Sequence, residues 1–270
     1  MSGAPRRVIL TLTCAASLLY VGTSLASPPE SVPLVERGQV NRLTSSEVAA
    51  GYRLLFDGVT GTGWRGVDSE DFPSEGWSIK NGILSIRDAG MLELRAGGDL
   101  FSVERFGDFV FDFEFRLSEG ANSGVKYRAE VQRQFGFVHS LGCEYQILDD
   151  ARHPDARRGH EGNRRLASLY DVIPARDVNG SAPGGEPKRW HHGRIHLESE
   201  HLAHYLNGVR VLAVKFDSEA WKSAVAESKF ADRPDFCSGP RGHIVLQDHG
   251  NHVQFRNLRI RTLDRPGDDS

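Results

Sequence analysis

The chain has 270 residues, with 33 Lys and Arg against 36 Asp and Glu and a formal net charge of −3. Without a basic block it lacks the electrostatic footprint of a nucleic-acid binder. Its cysteines are too few for a disulfide framework.

Arg6-Arg7 open the chain ahead of an apolar run from Val8 to about Val21, and Ser24-Leu25-Ala26 follow. A charged start, an apolar stretch too short to span a bilayer and a small-x-small site read as a removable secretory signal over 1–26. Arg6-Arg7 also partly match a twin-arginine signal. The expected location is periplasmic or secreted, without stable membrane insertion, because no second apolar segment follows. Removing Arg6 and Arg7 takes the net charge from −3 to −5. Residues 27–48 contain Pro, Ser and Glu without periodicity and read as a linker. Continuous patterning then suits one domain over 49–264, with 265–270 as a tail.

Along that domain the spacing predicts a helical turn near 46–50 and strands over 77–79 and 83–86, joined at Asn81-Gly82. Phe109, Phe111, Phe113 and Phe115 alternate with Val110, Asp112, Glu114 and Arg116. Val125, Tyr127 and Ala129 alternate with Lys126, Arg128 and Glu130, and Tyr145 and Ile147 with Glu144 and Gln146. Such period-two patterns are half-buried strands. Further strands are predicted over 193–197, 202–206 and 209–214, the last two joined at Asn207-Gly208, and a second helical turn over 218–227. Finally 243–246 and 253–260 flank a turn of Gln247, Asp248, His249, Gly250 and Asn251, which reads as a hairpin.

Many short strands with Gly and Asn turns imply an all-β, jelly-roll sandwich of two antiparallel sheets. The aromatic faces would fill the space between the sheets. Lys126, Arg128, Glu144 and Gln146 would share the opposite face, as an ordinary solvated surface or as the lining of a sugar-sized groove.

Four polar clusters carry the candidate chemistry. They are Asn122-Ser123-Gly124 leading to Lys126 and Arg128; Glu144 to Asp150 with His153 just beyond; Trp190-His191; and Gln247-Asp248-His249. Glu144, His153 and His249 could hold a divalent metal ion through nitrogen and oxygen, although no compact His-x-His or Glu-x-x-His pair is present. Ser123 lacks the strand-elbow-helix setting of a hydrolase nucleophile. Cys143 lies in a strand beside Glu144, which would raise its thiol pKa, and reads as core packing. Cys143 and Cys237 could pair or remain two buried thiols.

Taken in order, Leu55-Phe56-Asp57-Gly58, Trp64, Trp77, Asn81-Gly82, Gly97-Gly98-Asp99-Leu100, Phe106-Gly107-Asp108-Phe109 and Asn122-Ser123-Gly124 form a recognisable series. Glu144 to Asp149, Ser168-Leu169-Tyr170, Trp190-His191, Leu206-Asn207-Gly208 and the stretch 242–257 continue it. Together these resemble the bacterial 3-keto-disaccharide hydrolase family, also described as 3-keto-glucoside 1,2-lyases and 3-keto-2-hydroxy-glucal hydratases, over about 51–263. The resemblance implies a concanavalin-like jelly roll, a 3-keto sugar or glycoside as substrate, and a functional link to a sugar 3-dehydrogenase. The chain departs from the family pattern at Phe101-Ser102, where Trp-Thr is frequent, and at Trp190-His191, where Trp-Asn is.

A C3 ketone acidifies the C2 proton, so the C1 substituent can leave by β-elimination and the glucal can then be hydrated. That chemistry needs a base, an acid and an electrophile near the C3 oxygen. The implied roles are His249 as base, Glu144 as base or metal ligand, and Arg128 with Lys126 against enolate charge. Asn122, Gln146, Asp149, Trp190, Gln247 and Asp248 would contact or orient the sugar. Two other readings are a glycosidase using Glu144 and Asp248 as paired carboxylates and a lectin-like carbohydrate-binding module without catalysis.

Overall fold

Strand alternation and Asn-Gly turns organise the computed structural model, which describes residues 28–34, 39–88, 97–134, 137–177, 179–180 and 183–263. The signal expected over 1–26 and the tail over 265–270 lie outside the described residues. The strands are β1 Arg53–Leu54, β2 Trp64–Gly66, β3 Trp77–Lys80, β4 Ile83–Ile86, β5 Leu100–Phe106, β6 Phe109–Leu117 and β7 Asn122–Gln134. They continue with β8 Phe137–Leu148, β9 His191–Glu198, β10 His201–Leu206, β11 Val209–Lys215, β12 Gly242–Leu246 and β13 Val253–Thr262. One eight-stranded sheet runs β11-β10-β9-β6-β13-β4-β3 with β1 added to β13, and a five-stranded sheet runs β2-β5-β12-β7-β8. The result is the two-sheet antiparallel jelly roll expected from the alternation.

The inter-sheet core is aromatic. Phe109 of β6 meets Tyr127 of β7 edge-on at 6.3 Å, and Phe113 meets Tyr145 of β8 at 5.2 Å. The Phe113 ring occupies the space a side chain would need at the cross-strand Gly193. The core therefore forces the β9 glycine.

His204 of β10 lies within this core, fully buried, with Nδ1 2.9 Å from the Ala167 carbonyl and Nε2 2.8 Å from the Tyr127 hydroxyl. With Nδ1–H donating and Nε2 accepting, both nitrogens are used by a neutral ring. Burial pushes its pKa down to about 4, against about 6.5 in an unfolded chain. Stability from this group is thus complete above pH ~6.5 and falls as pH drops toward ~4, by about 3 kcal/mol in all. Urea titrations across that window should show a slope of about one proton that disappears in a His204→Asn variant.

Two sequence expectations give way. The stretch 243–260 is not a hairpin, because β12 belongs to the five-stranded sheet and β13 to the eight-stranded one. Residues 247–251 instead cross between the layers; the same Gly and Asn turn chemistry serves either connection. Nor do the described residues within 27–48 form a bare linker. Ser31 bridges Val209, Arg210 N–H donates to the Glu30 carbonyl at 2.8 Å, and Tyr205 Oη–H donates to Pro29 at 2.7 Å. Asn41 and Asn257 exchange hydrogen bonds between backbone N–H and side-chain oxygen at 2.6 and 2.8 Å. Helix α1, Ser45–Ala49, has a Thr44/Glu47 capping box, and Glu47 pairs with Arg259 at 2.7 Å. The second predicted helix is α2, Glu219–Ala226, capped by Ser218. No helix among the described residues is long and apolar enough to cross a membrane.

Candidate active site

Register on the five-stranded sheet sets a row of side chains across it. Glu144 pairs with Lys126, Lys126 with Val245, Val245 with Phe101, and Phe101 with Arg65. Because Val125, Tyr127, Cys143 and Tyr145 belong to the inter-sheet core, alternation turns Lys126 and Glu144 to the sheet's outer face. One step along, Gly124 pairs with Gln146. A Cβ on Gly124 would fall on the Glu144 carboxylate, so the glycine makes room for it. Gly124→Ala should cut activity more than tenfold by displacing this carboxylate, while a thermal melt changes little; a normal rate would show that Glu144 can move without consequence.

Above the row lies a cleft of about 410 Å³, lined among others by Asn122, Lys126, Glu144, Gln146, Gln247 and His249. Gln247, half-buried, links three of these groups. With its amide nitrogen toward Glu144 Oε1 at 3.2 Å and its oxygen toward Lys126 Nζ at 3.2 Å, the same carboxamide lies 3.1 Å from His249 Nε2. A carboxyl, an ammonium and an imidazole are thereby tied to one carboxamide. Lys126 also donates to Ser140 Oγ at 2.7 Å and pairs with Asp99 at 3.5 Å.

Burial raises the Glu144 pKa, and the Lys126 ammonium, the His249 imidazole and the Lys229 ammonium only partly offset it. The carboxyl therefore holds its proton at higher pH than an exposed glutamate. The Asn122 carboxamide oxygen is a buried acceptor without a hydrogen bond, on a residue that lines the cleft. A sugar hydroxyl is a donor of the kind that would satisfy it.

The remaining sequence candidates lie elsewhere. Arg128 was expected beside Lys126, but β7 bulges after Tyr127. Tyr127 pairs with Cys143 and Glu130 with Leu141, leaving Arg128 and Ala129 both opposite Gly142. Arg128 takes a left-handed φ of 47° and leaves the cleft, pairing with Glu200 at 2.7 Å. Asp149 accepts from Gly120 N–H at 2.7 Å, Ala151 N–H at 3.1 Å and Arg152 at 3.2 Å, which fixes the turn after β8. Asp248 accepts from Gly250 N–H at 2.8 Å within its own turn and does not line the cleft. Trp190 lies against the Arg116 and Arg256 guanidiniums, 4.8 and 4.0 Å from its ring centroid, beside the other sheet.

His153 is also removed from the cleft: its Nδ1 accepts from Asp155 N–H at 3.2 Å and caps the 3-10 turn Pro154–Arg157. Glu144, His153 and His249 thus do not converge, and no group of three His, Cys, Asp or Glu side chains suited to a metal forms among the described residues. Lys126 at the same carboxamide would in addition repel a divalent cation. The donor set does not fit a metal centre.

Sequence reasoning missed one wall of the cleft. His139, Ser140, Tyr170, Lys229, Phe230 and Arg233 also line it. Tyr170 arrives because the loop after β8 folds back along that strand: Tyr170 N–H donates to the Glu144 carbonyl at 3.0 Å and Gln146 N–H to Ser168 at 3.1 Å. Lys229 follows α2, its ammonium 4.2 Å from the Tyr170 ring centroid and 5.0 Å from that of Phe230, and partial burial lowers its pKa. The Cys143–Cys237 disulfide ties the segment after α2 to β8. That pairing resolves the two cysteines, and Cys143 is fully buried as its strand position required. The cysteine pair was the sole sequence sign that this segment returns to β8.

Comparison with known proteins agrees with this architecture. A 3-keto-disaccharide hydrolase from Bacteroides thetaiotaomicron is 35% identical over 236 residues, covering 80% of each chain. A crystal structure from Parabacteroides distasonis, described as that of a glycosyl hydrolase candidate, superposes with a TM-score of 0.69 at 25% identity, over 84% of this chain and 100% of its own. A second from the same organism gives 0.53 at 21% identity, over 74% and 99%, and shares the fold. Residues 51–261 match the 3-keto-alpha-glucoside-1,2-lyase-like domain, and the chain belongs to that family.

Proposed function

We propose that the cleft over β7 and β8 processes 3-keto-glycosides by elimination across C1 and C2, by hydration of the 2-hydroxy-3-keto-glucal, or by both in sequence. The carrying observation is the Gln247 carboxamide within 3.2 Å of Glu144, Lys126 and His249 in the cleft. In the elimination, His249 takes the C2 proton and the C2–H electrons form the C1=C2 bond. The C1–O bond breaks, and protonated Glu144 gives its proton to the leaving oxygen. Lys126 and Lys229 offer ammonium groups to the charge that develops on the C3 oxygen. Hydration reverses the transfers: the Glu144 carboxylate takes a proton from water, hydroxyl adds at C1, and His249 returns its proton to C2. Gln247 holds the acid and base at a fixed separation.

No covalent nucleophile is needed, in keeping with a cleft lined by neither Ser123 nor a free thiol. Asp248, turned into its own loop, disfavours the two-carboxylate glycosidase reading. The disulfide suits an oxidising compartment and supports an exported enzyme, fed by a dehydrogenase acting at C3 of the parent sugar.

The test incubates the protein with a 3-keto-glucoside and, separately, with its unoxidised parent, following both by mass spectrometry with and without chelator. Aglycone release or a dehydrated sugar from the keto substrate alone is expected, unaffected by chelation. His249→Ala should lower that rate by about 10²- to 10⁴-fold. Binding with both sugars returned intact would instead establish a lectin-like module.

A further inference from the structure

Gly97-Gly98-Asp99-Leu100 belongs to the sequence series shared with the family, yet no step of the reaction above uses it. Gly97 and Gly98 take left-handed φ of 38° and 71°, and a Cβ on Gly97 would lie 2.2 Å from the Glu75 carbonyl oxygen. This turn delivers Asp99 to the start of β5. Leu100 enters the inter-sheet core and pairs with Leu246. Alternation then turns Asp99, like Phe101, to the outer face that carries the cleft. Continuing the pairing by one residue sets Asp99 opposite Gln247.

The Asp99 side chain is 15% exposed and is not one of the cleft-lining groups. Its two oxygens have different partners. Oδ1 accepts from Asp248 N–H at 3.0 Å, which fixes the residue between Gln247 and His249. Oδ2 accepts from Ser140 Oγ–H and lies 3.5 Å from Lys126 Nζ. Ser140 Oγ in turn accepts from Lys126 at 2.7 Å. Lys126 also faces the Gln247 carboxamide oxygen at 3.2 Å, so Asp99, Ser140, Lys126, Gln247 and Asp248 close a ring. One carboxylate thereby anchors both the ammonium of β7 and the crossing that carries the base. Its charge reaches Glu144 as well. Burial keeps the Glu144 proton in place; Lys126, His249 and Lys229 work against it, and Asp99 works with it.

We propose that Asp99 is a positioning residue for the reaction, fixing Lys126 and the Gln247–His249 crossing relative to each other through Ser140 and the Asp248 N–H. This rests on the function proposed above. A carboxylate suits the task because it offers an acceptor on each side. An amide can serve the Asp248 N–H only by turning its NH2 group toward Ser140 and Lys126, which are themselves donors.

The experiment measures kcat and KM on a 3-keto-glucoside for Asp99→Asn, Ser140→Ala and Lys126→Met, alone and in pairs, beside thermal melts. Asp99→Asn should lower kcat about 10²-fold, the scale of a roughly 1 Å misplacement of reacting groups, with KM little changed. Ser140→Ala removes only the Lys126 arm and should cost about tenfold. In the Lys126→Met background the Asp99→Asn loss should shrink by about tenfold, because the two residues act through one contact. The alkaline limb contributed by Glu144 should also move to lower pH in Asp99→Asn, since a charge opposing its ionisation is gone. A merely structural defect would scale the profile without moving it. Fully additive losses, or kcat losses that track the fall in melting temperature across the variants, would overturn the assignment. A readout independent of turnover is hydrogen exchange at the Asp248 amide, expected to quicken by about tenfold or more in Asp99→Ala while β7 and β8 stay protected. If the wild type leaves the keto sugar intact, the function proposed above falls; exchange at Asp248 then decides the Asp99 anchor alone, and unchanged protection removes it.

Discussion

Glu144→Gln is expected to lower turnover of a 3-keto-glucoside by about three orders of magnitude while leaving the melting temperature unchanged or slightly raised. The carboxyl is buried, and burial is the leading reason its pKa is raised. A raised carboxyl pKa means that the ionised form is disfavoured in the folded protein, so this group detracts from stability above its unfolded pKa. An amide of the same shape removes that penalty and keeps a polar contact with Gln247, but it has no proton to give the leaving oxygen. Stability and activity should therefore move in opposite directions, as they do where a site is held in an unfavourable electrostatic state for function. The pH profile carries the sign as well. An acid that must be protonated loses activity as pH rises through its pKa, so Glu144 contributes a descending limb on the alkaline side, displaced upward from the ordinary carboxylate range. Activity above a tenth of wild type in the glutamine variant, or a profile that rises with pH across this limb, would remove Glu144 as the acid.

Much of this arrangement is legible in the sequence because period-two alternation is unambiguous where one face is aromatic and the other charged. Phe109 to Phe115 fix which side of β6 meets the core, and Tyr145 does the same for β8, so the outward direction of Glu144 and Gln146 follows from the residues alone. Arg128 breaks the rule because a bulge reverses alternation without any apolar residue to announce it. The one local sign is Gly142, where a Cβ would collide with the Tyr127 carbonyl and Ala129 across the strand. The connection 247–251 fails for a different reason. Gly250 and Asn251 specify a change of direction, and whether the chain re-enters the same sheet is decided by pairing partners far away, β6 for β13 and β5 and β7 for β12. Strands β1 and β2 escape notice because they are two and three residues long, held by tertiary pairing rather than propensity. Lys229 and Arg233 come from a segment with no periodicity, brought to the site by the disulfide, by the Lys229 N–H bond to Asp171 at 2.8 Å and by the packing of Phe230 and Phe236 on the core.

The covalent link carries the second large prediction. Cys143 and Glu144 are adjacent on β8, so alternation sends one side chain into the core and the other into the cleft. The disulfide from Cys143 to Cys237 spans 94 residues. It restrains the segment bearing Lys229, Phe230 and Arg233, which forms one wall of the cleft. Replacing both cysteines by alanine should destabilise the protein by about 4 kcal/mol through the larger conformational freedom of the unfolded chain, a fall in melting temperature of the order of 10 °C for a domain of this size. The functional effect should be separable from the global one. At a temperature where the variant is still folded, the wall is free to move while Lys126 and Glu144 remain fixed by β7 and β8 and Gln247 by its N–H bond to the Gly124 carbonyl at 2.9 Å. KM should then rise several-fold more than kcat falls, because substrate contacts are lost before proton-transfer groups are. Hydrogen exchange should localise the loosening to 228–240, with β7 and β8 still protected. A unit decrease in both constants together, or exchange that spreads equally through β8, would mean that the disulfide supports the whole sandwich rather than this wall. Treatment of the wild type with dithiothreitol should reproduce the alanine variant's kinetics, since breaking the cross-link is common to both.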